Sequence, residues 1–251
     1  MIDTHAHINI KPLINNTKEI ILNAKKNKVN HIICVGINEE TNLVSLQLAK
    51  EYNEVFASVG IHPSEVDEEL DLNLLEEQLK KDKVVALGEI GIDLYWVKDN
   101  LVRQKEVFLK QIDLAIKLNM PVIIHSRNSA SLIYDLIKDK KGLTGVMHCY
   151  SEHEELLEKF IDLGFYIGVG GIVTFKNAII VKNIAKKIPL DKLLIETDSP
   201  YLAPVPFRGK VNEPKNVSYV LKELSNLLNI SEEELITITT NNAKRLFYKL
   251  K

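Results

Sequence analysis

MIDTHAHI, residues 1–8, sets two histidines at alternate positions, His5 and His7, among the apolar residues Met1, Ile2 and Ile8. In an extended strand successive side chains point to opposite faces, so residues two apart share a face. Both imidazoles then look the same way, which is how a strand can present two metal ligands. The polar centre, which includes Asp3, is a poor composition for an ordinary core strand unless something satisfies it. A divalent cation would. Two nearby histidines can equally be solvated or hydrogen-bonded, so the rest of the chain decides between these readings.

Outward from this first run, at 1–5, seven more short β-branched runs follow, at 30–36, 55–61, 84–89, 121–125, 144–148, 165–168 and 192–197. Amphipathic stretches separate them, such as 103–118, where Val107, Leu114, Ile116 and Leu118 mix with Lys and Gln at near-helical spacing, and 154–163. Strand then helix, repeated, implies parallel pairing; eight nearly continuous apolar strands predict a closed α/β barrel. With 251 residues, 45% hydrophobic and 26% charged, the chain has the size of one such domain over 1–251. The segment 199–217, rich in Pro, Gly and Asn, is a loop of the length that is usually functional. Closing helices are expected at 217–228 and 231–240, the second with Ser231 as N-cap and Glu234 completing a capping box.

Composition narrows the functional classes. Cys34 and Cys149 lie in or beside apolar runs and read as core residues of a protein in a reducing compartment. No apolar stretch reaches the roughly 18 residues needed to cross a bilayer, and the first residues lack the layout of a secretory signal. The expectation is a cytoplasmic protein with no membrane partner and no evident obligate protein partner. A formal net charge of −2 argues against a general electrostatic grip on long duplexes, so any phosphate binding is local. The lysine-rich pieces 24–28 and 185–187 read as solvated helix faces.

In a barrel the C-terminal ends of all strands converge on one rim. The residues expected there are His5 and His7 after the first strand, His62 after the third, Glu89 ending the fourth, His125 the fifth, His148 the sixth, and Asp198 after the eighth. Five of the seven histidines therefore gather at one place, while His31 begins a strand and His153 opens a helix. Imidazole and carboxylate together hold first-row divalent ions, and a carboxylate can bridge two of them. The expected grouping is His5, His7, Asp198 and Glu89 around one ion, and Glu89, His125 and His148 around a second. Two ions about 3.5–4 Å apart activate a water and neutralise an in-line displacement at phosphorus. Asp198 is the candidate to take the proton of that water; its alternative reading is a helix N-cap ahead of Ser199 and Pro200.

The chain resembles the TatD family of metal-dependent deoxyribonucleases, within the amidohydrolase superfamily. The resemblance rests on IDTHAHI, VGIHP, GEIGID, PVIIHSRNS, MHCYS and LLIETDSPYLAPVPFRGKVNEP, which together span nearly the whole sequence. It implies a (β/α)8 TIM barrel, one to three divalent ions, and hydrolysis of DNA phosphodiesters, often as an exonuclease. It carries the metal ligands onto His5, His7, Glu89, His125, His148 and Asp198, with two divalent ions (Mg, Mn or Zn) expected. Two departures stand out: the usual HSRDA reads HSRNS, with Asn128 in place of an acid, and Val211 stands where a further basic residue is common.

Substrate contacts are expected from Arg127, two residues beyond a ligand, and from Arg208, Lys210 and Asn212 in the long loop, as donors for phosphate oxygens. His62 could donate to a phosphate or protonate the leaving alkoxide. Asp93 is a candidate to orient a ligand or to contact substrate. Tyr95 and Trp96 could stack on a nucleobase or pack on a helix. The same readings have structural counterparts: a pair with a barrel carboxylate for Arg127, and a solvated turn for Arg208 and Lys210. The leading functional expectation is DNA phosphodiester hydrolysis at ends or single strands. The alternatives are hydrolysis of a carboxylic ester or amide, for example an aminoacyl ester of RNA, and a barrel that binds without catalysis. A missing ligand would mark the last, and none is missing.

Overall fold

The computed structural model describes residues 1–67, 70–96 and 99–250. Eight parallel strands lie in one sheet in chain order: β1 (Ile2–Ala6), β2 (His31–Val35), β3 (Val55–Val59), β4 (Val84–Asp93), β5 (Val122–Arg127), β6 (Gly145–Met147), β7 (Tyr166–Val169) and β8 (Leu193–Ile195). Helices alternate with them: α1 (Thr17–Lys26), α2 (Glu39–Glu51), α3 (Leu72–Leu79), α4 (Leu101–Leu118), α5 (Ala130–Ile137), α6 (Glu154–Asp162) and α7 (Ile179–Lys187), with α8 (Val217–Leu228) and α9 (Glu232–Leu246) at the end. Parallel strands need such crossovers, and the helices cover the outer face. The TIM barrel closes just beyond the last strand. Ala6 bridges Ser199, the His7 N–H donates to Ser199 O at 2.7 Å, and the Asp198 N–H donates to His5 O at 2.9 Å.

Alternation within each strand sorts the core. Ile33, Val35, Phe56, Val85, Ile123, Val146 and Leu194 form one buried cluster, which Ala243, Leu246, Phe247 and Leu250 join from the end of α9. Their neighbours on the same strands, including Ile32, Cys34, Val55, Ala57 and Val84, pack against the helices in a second cluster. α9 therefore plugs the end where the strands begin. This explains why it runs to Leu246, beyond the expected 240: buried Leu246 and Phe247 reward helix in a TTNNAK stretch of weak propensity. Its start is as read, with the Ser231 hydroxyl accepting from the Glu234 N–H.

Two boundaries matter for the site. β4 runs on to Asp93 and is buried throughout, so Glu89 sits inside the strand and not at its end. Gly91 permits this: a Cβ there would lie 2.0 Å from the carbonyl oxygen of His125 on β5. β6 and β8 are shorter than expected, and His148 and Asp198 fall on the turns after them. Among the described residues no helix is long and apolar enough to cross a membrane.

Candidate active site and metal centre

The alternation of β1 does what the spacing requires. His5 and His7 face one point, their Nε2 atoms 3.1 Å apart. The His7 Nδ1–H donates to the Val35 carbonyl at 2.9 Å, which leaves Nε2 unprotonated and aimed inward. Glu89 Oε2 lies 3.4 Å from His5 Nε2 and 3.5 Å from His7 Nε2. Asp198 Oδ1 closes the group from the other side, 3.7 Å from His5 and 3.4 Å from His7. Asp198 holds a left-handed backbone, φ 56°, which Asp tolerates better than most residues and which turns its carboxylate inward rather than onto a helix N-terminus.

The other oxygen of Glu89 serves the far side. Its Oε1 is 2.8 Å from His125 Nδ1, 3.5 Å from His148 Nε2 and 3.7 Å from His62 Nε2. The six expected ligands thus converge, with Glu89 reaching both groups read off the chain and His148 standing near the first as well. Three combinations have donor atoms within 4.8 Å of one another: His5 with His7 and Glu89, His5 with His148 and Asp198, and His62 with Glu89 and His125. His148 also stacks on His5, their ring centroids 3.7 Å apart. His62, read as a substrate contact alone, stands within ligand range of the second group.

Charge accounting supports a cation here. Burial works against the charged form of Glu89, yet His148, His5 and His62, with the bond from His125, hold its carboxyl well below the usual range. Burial also opposes ionisation of Asp198, yet its contacts with His7, His148 and His5 hold the carboxyl below its ordinary value. His62 is driven the other way, down to about 3, by burial and then by His125. Facing imidazole nitrogens at hydrogen-bond distance, with two carboxylates between them, are an arrangement that a divalent ion satisfies and that protons alone satisfy poorly. The residues therefore fit the expected metals.

Carboxylates brace the ligands from behind. Asp93 Oδ2 is 3.2 Å from His125 Nε2, while its Oδ1 accepts the N–H groups of Tyr95 and Trp96. Burial opposes its charge, but the His125 bond and those two donors hold its pKa down to about 2. Asp93 is thus placed against His125, where an orienting carboxylate would stand. Asp3 is fully buried and ties β1 to the turn after β8 by accepting from the Thr197 N–H and hydroxyl. Glu196, which the sequence did not single out, lies 1% exposed with Oε1 3.0 Å from His148 Nδ1.

Above the ligands opens a pocket of about 540 Å³, lined by His7, Ile10, Ile37, His62, Ser64, Glu89, Asp93, Trp96, His125, Arg127, His148, Asp198, Tyr201 and Leu202. Arg127 is exposed on this wall, with Cζ 4.9 Å over the Tyr95 ring. Among the described residues no carboxylate pairs with it. Trp96 is 75% exposed, so the helix-packing alternative fails for this side chain. The turn behind Arg127 is firmly held. Glu152 accepts from the Ser126 hydroxyl and from the backbone N–H groups of Ser129 and Ala130. Asn128 stands at φ 57°, a left-handed position that suits Asn.

The loop 199–217 corrects three expectations. Asn212 is fully buried and spends its side chain on the loop itself. Its Nδ2 donates to the carbonyls of Thr197 and Tyr201, and its Oδ1 accepts from the Glu213 N–H and Asn216 Nδ2. No hydrogen-bonding capacity is left for a phosphate. Arg208 lies with Cζ 4.4 Å over the Phe175 ring, and exposed Lys210 is likewise outside the pocket lining. The sequence placed all three by proximity to Asp198, whereas the loop's path takes them away. Cys149 is corrected too: it is only partly buried, and its donor atom lies among those of His148 and Glu196. Ile10, Tyr201 and Leu202 carried no sequence signal beyond lying near the ligands.

A model of TatD-related DNases matches residues 2–248. The uncharacterized metal-dependent hydrolase YabD of Bacillus subtilis (strain 168) is 41% identical, the match covering 98% of this chain and 98% of that protein. The uncharacterized metal-dependent hydrolase YcfH of Escherichia coli (strain K12) is 37% identical over 99% of this chain and 96% of its own. The crystal structure of YjjV, a TatD homolog from Escherichia coli K12, has a TM-score of 0.91 at 31% identity, covering 99% of this chain and 98% of that one. With the match running almost end to end, the chain belongs to the TatD-related DNase family.

Proposed function

We propose that this metal-dependent hydrolase cleaves phosphodiester bonds of DNA, acting at ends or on single strands. One observation carries the reading: five of the six candidate ligands line a pocket whose wall offers an exposed guanidinium, paired with no carboxylate among the described residues, and an exposed indole. The ions would be held by His5, His7, Glu89, His125, His148 and Asp198, with Glu89 between the two groups. Bound there, they would supply Lewis-acid activation of water and neutralisation of charge developing at phosphorus.

The chain's own residues do the rest. Asp198, ionised and reached from the pocket, accepts the proton of the attacking water on its carboxylate. Glu89 stays charged and fixes the relative positions of the two histidine groups. His62 is neutral at pH 7, with Nδ1 2.8 Å from Ser64 Oγ and accepting the Ser64 N–H at 3.1 Å. Its Nε2–H therefore donates to a phosphate oxygen, and the leaving alkoxide takes its proton from a solvent water in the open pocket. Arg127 grips a neighbouring phosphate, and Trp96 offers a face to the adjacent base.

The test is incubation with end-labelled single- and double-stranded oligonucleotides across Mg, Mn and Zn, alongside carboxylic esters including an aminoacyl ester of RNA. Cation-dependent release of nucleotides is the expected result. Turnover of the esters with intact oligonucleotides under every cation would replace the nuclease reading by the ester one.

A further inference from the structure

Behind the ligand histidines lies a carboxylate that no part of the proposed chemistry uses. Glu196 follows β8 and is 1% exposed. Its Oε1 accepts both the Nδ1–H of His148, at 3.0 Å, and the backbone N–H of Cys149. Its Oε2 is buried with no hydrogen-bond partner. The acceptor selects between the neutral tautomers: with Nδ1 protonated toward Glu196, the Nε2 lone pair of His148 is the one left to face Glu89 and Asp198. Room for the carboxylate comes from Gly168 on β7, where a Cβ would stand 2.5 Å from Oε2 and 2.7 Å from Cδ.

We propose that Glu196 is a positioning residue for the metal centre: it locks the ring orientation and tautomer of His148, and Gly168 is glycine to leave space for it. A carboxylate behind a ligating histidine raises the basicity of the ring and fixes its aim. The inference rests on His148 being a ligand and not on the identity of the substrate. The donor atoms of His148, Cys149 and Glu196 also lie within 4.8 Å of one another, the spacing of a further cation seat. However, Oε1 is engaged by His148 Nδ1 and the Cys149 N–H, and the unpartnered Oε2 lies against Gly168, which favours orientation over ligation.

The experiment is direct titration of the metal-free full-length chain with Zn²⁺ and with Mn²⁺, monitored by calorimetry and chelator competition, for wild type, Glu196→Ala, Glu196→Gln, Gly168→Ala and Cys149→Ser. Glu196→Ala is expected to weaken one of two cations on the order of 10–100-fold. Gly168→Ala, with Glu196 intact but displaced, reproduces that loss. Glu196→Gln, whose amide oxygen still accepts from Nδ1, recovers most of the affinity, and Cys149→Ser leaves it in place. In ¹⁵N spectra of the Zn²⁺-loaded protein the His148 ring shows Nδ1–H protonation in wild type and loses that signature in Glu196→Ala. Wild-type affinity in Glu196→Ala, or a third bound cation that Cys149→Ser removes, overturns the proposal. A wild-type chain that binds no cation overturns the ligand set as well, and failure on DNA alone touches neither.

Discussion

Replacing Asn212 by alanine separates a loop brace from a substrate contact. The buried amide makes four hydrogen bonds, two given to the carbonyls of Thr197 and Tyr201 and two accepted from Glu213 N and Asn216 Nδ2. At about 1 kcal/mol net each, their loss amounts to about 4 kcal/mol, and water entering the vacated space lowers this toward about 2 kcal/mol. Asn212→Asp is worse, because it turns a carboxylate oxygen against two carbonyls in a site with no exposure. For a chain of this length, a loss of 2–4 kcal/mol corresponds to a fall in Tm of roughly 4–16 °C. Urea unfolding of the metal-free protein is the assay, with the midpoint lowered and the slope kept. The loop 199–217 should also become more sensitive to proteolysis. The reasoning fails if Asn212→Ala unfolds like wild type while KM for an oligonucleotide rises, because that is the signature of a side chain that meets substrate.

Glu89→Gln should lower turnover by at least about 10²-fold, since it removes the charge facing five imidazoles, and chelation should abolish turnover until cation is restored; steady-state rates on a labelled oligonucleotide check both. Arg127→Ala should raise KM on the order of 10-fold with kcat little changed, the loss of one charge-assisted phosphate contact, and an unchanged KM would remove Arg127 from the binding site. Trp96→Ala should weaken oligonucleotides by about 1–3 kcal/mol per stacked base and leave an abasic substrate unaffected, as read by competition binding. The pKa of His62 sets a pH dependence: it falls from an ordinary value near 6.5 to about 3 on folding, so the unfolded chain binds the extra proton between those values. Its contribution is complete above pH 6.5 and is lost as pH falls toward 3. Urea midpoints of the metal-free protein should therefore drop more steeply over that window in wild type than in His62→Gln, and parallel curves would contradict the assignment.

The alternation of His5 and His7, the eight apolar runs, and the placement of His125, His148 and Asp198 after such runs were enough to define the barrel and to gather the candidate ligands at one rim. These features are local: strand period fixes which side chains share a face, and parallel strands bring their ends together. The ends of elements were less legible. α9 outran its propensity because Phe247 and Leu246 plug the barrel, and β4 carried Glu89 into its interior because Gly91 lets β5 approach.

What remained hidden depends on contacts between residues far apart in the chain. Sequence proximity to Asp198 suggested that Asn212 and Arg208 met substrate, but the backbone path from Ser199 onward turns one into a buried brace and lays the other on Phe175. Nothing near Glu196 in the chain shows that it faces His148 48 positions earlier. Residue types and spacing settled which groups could hold a cation. Only the folded chain decided how Glu89 divides its two oxygens among five imidazoles, since that partition depends on ring stacking and hydrogen bonds that no linear pattern encodes.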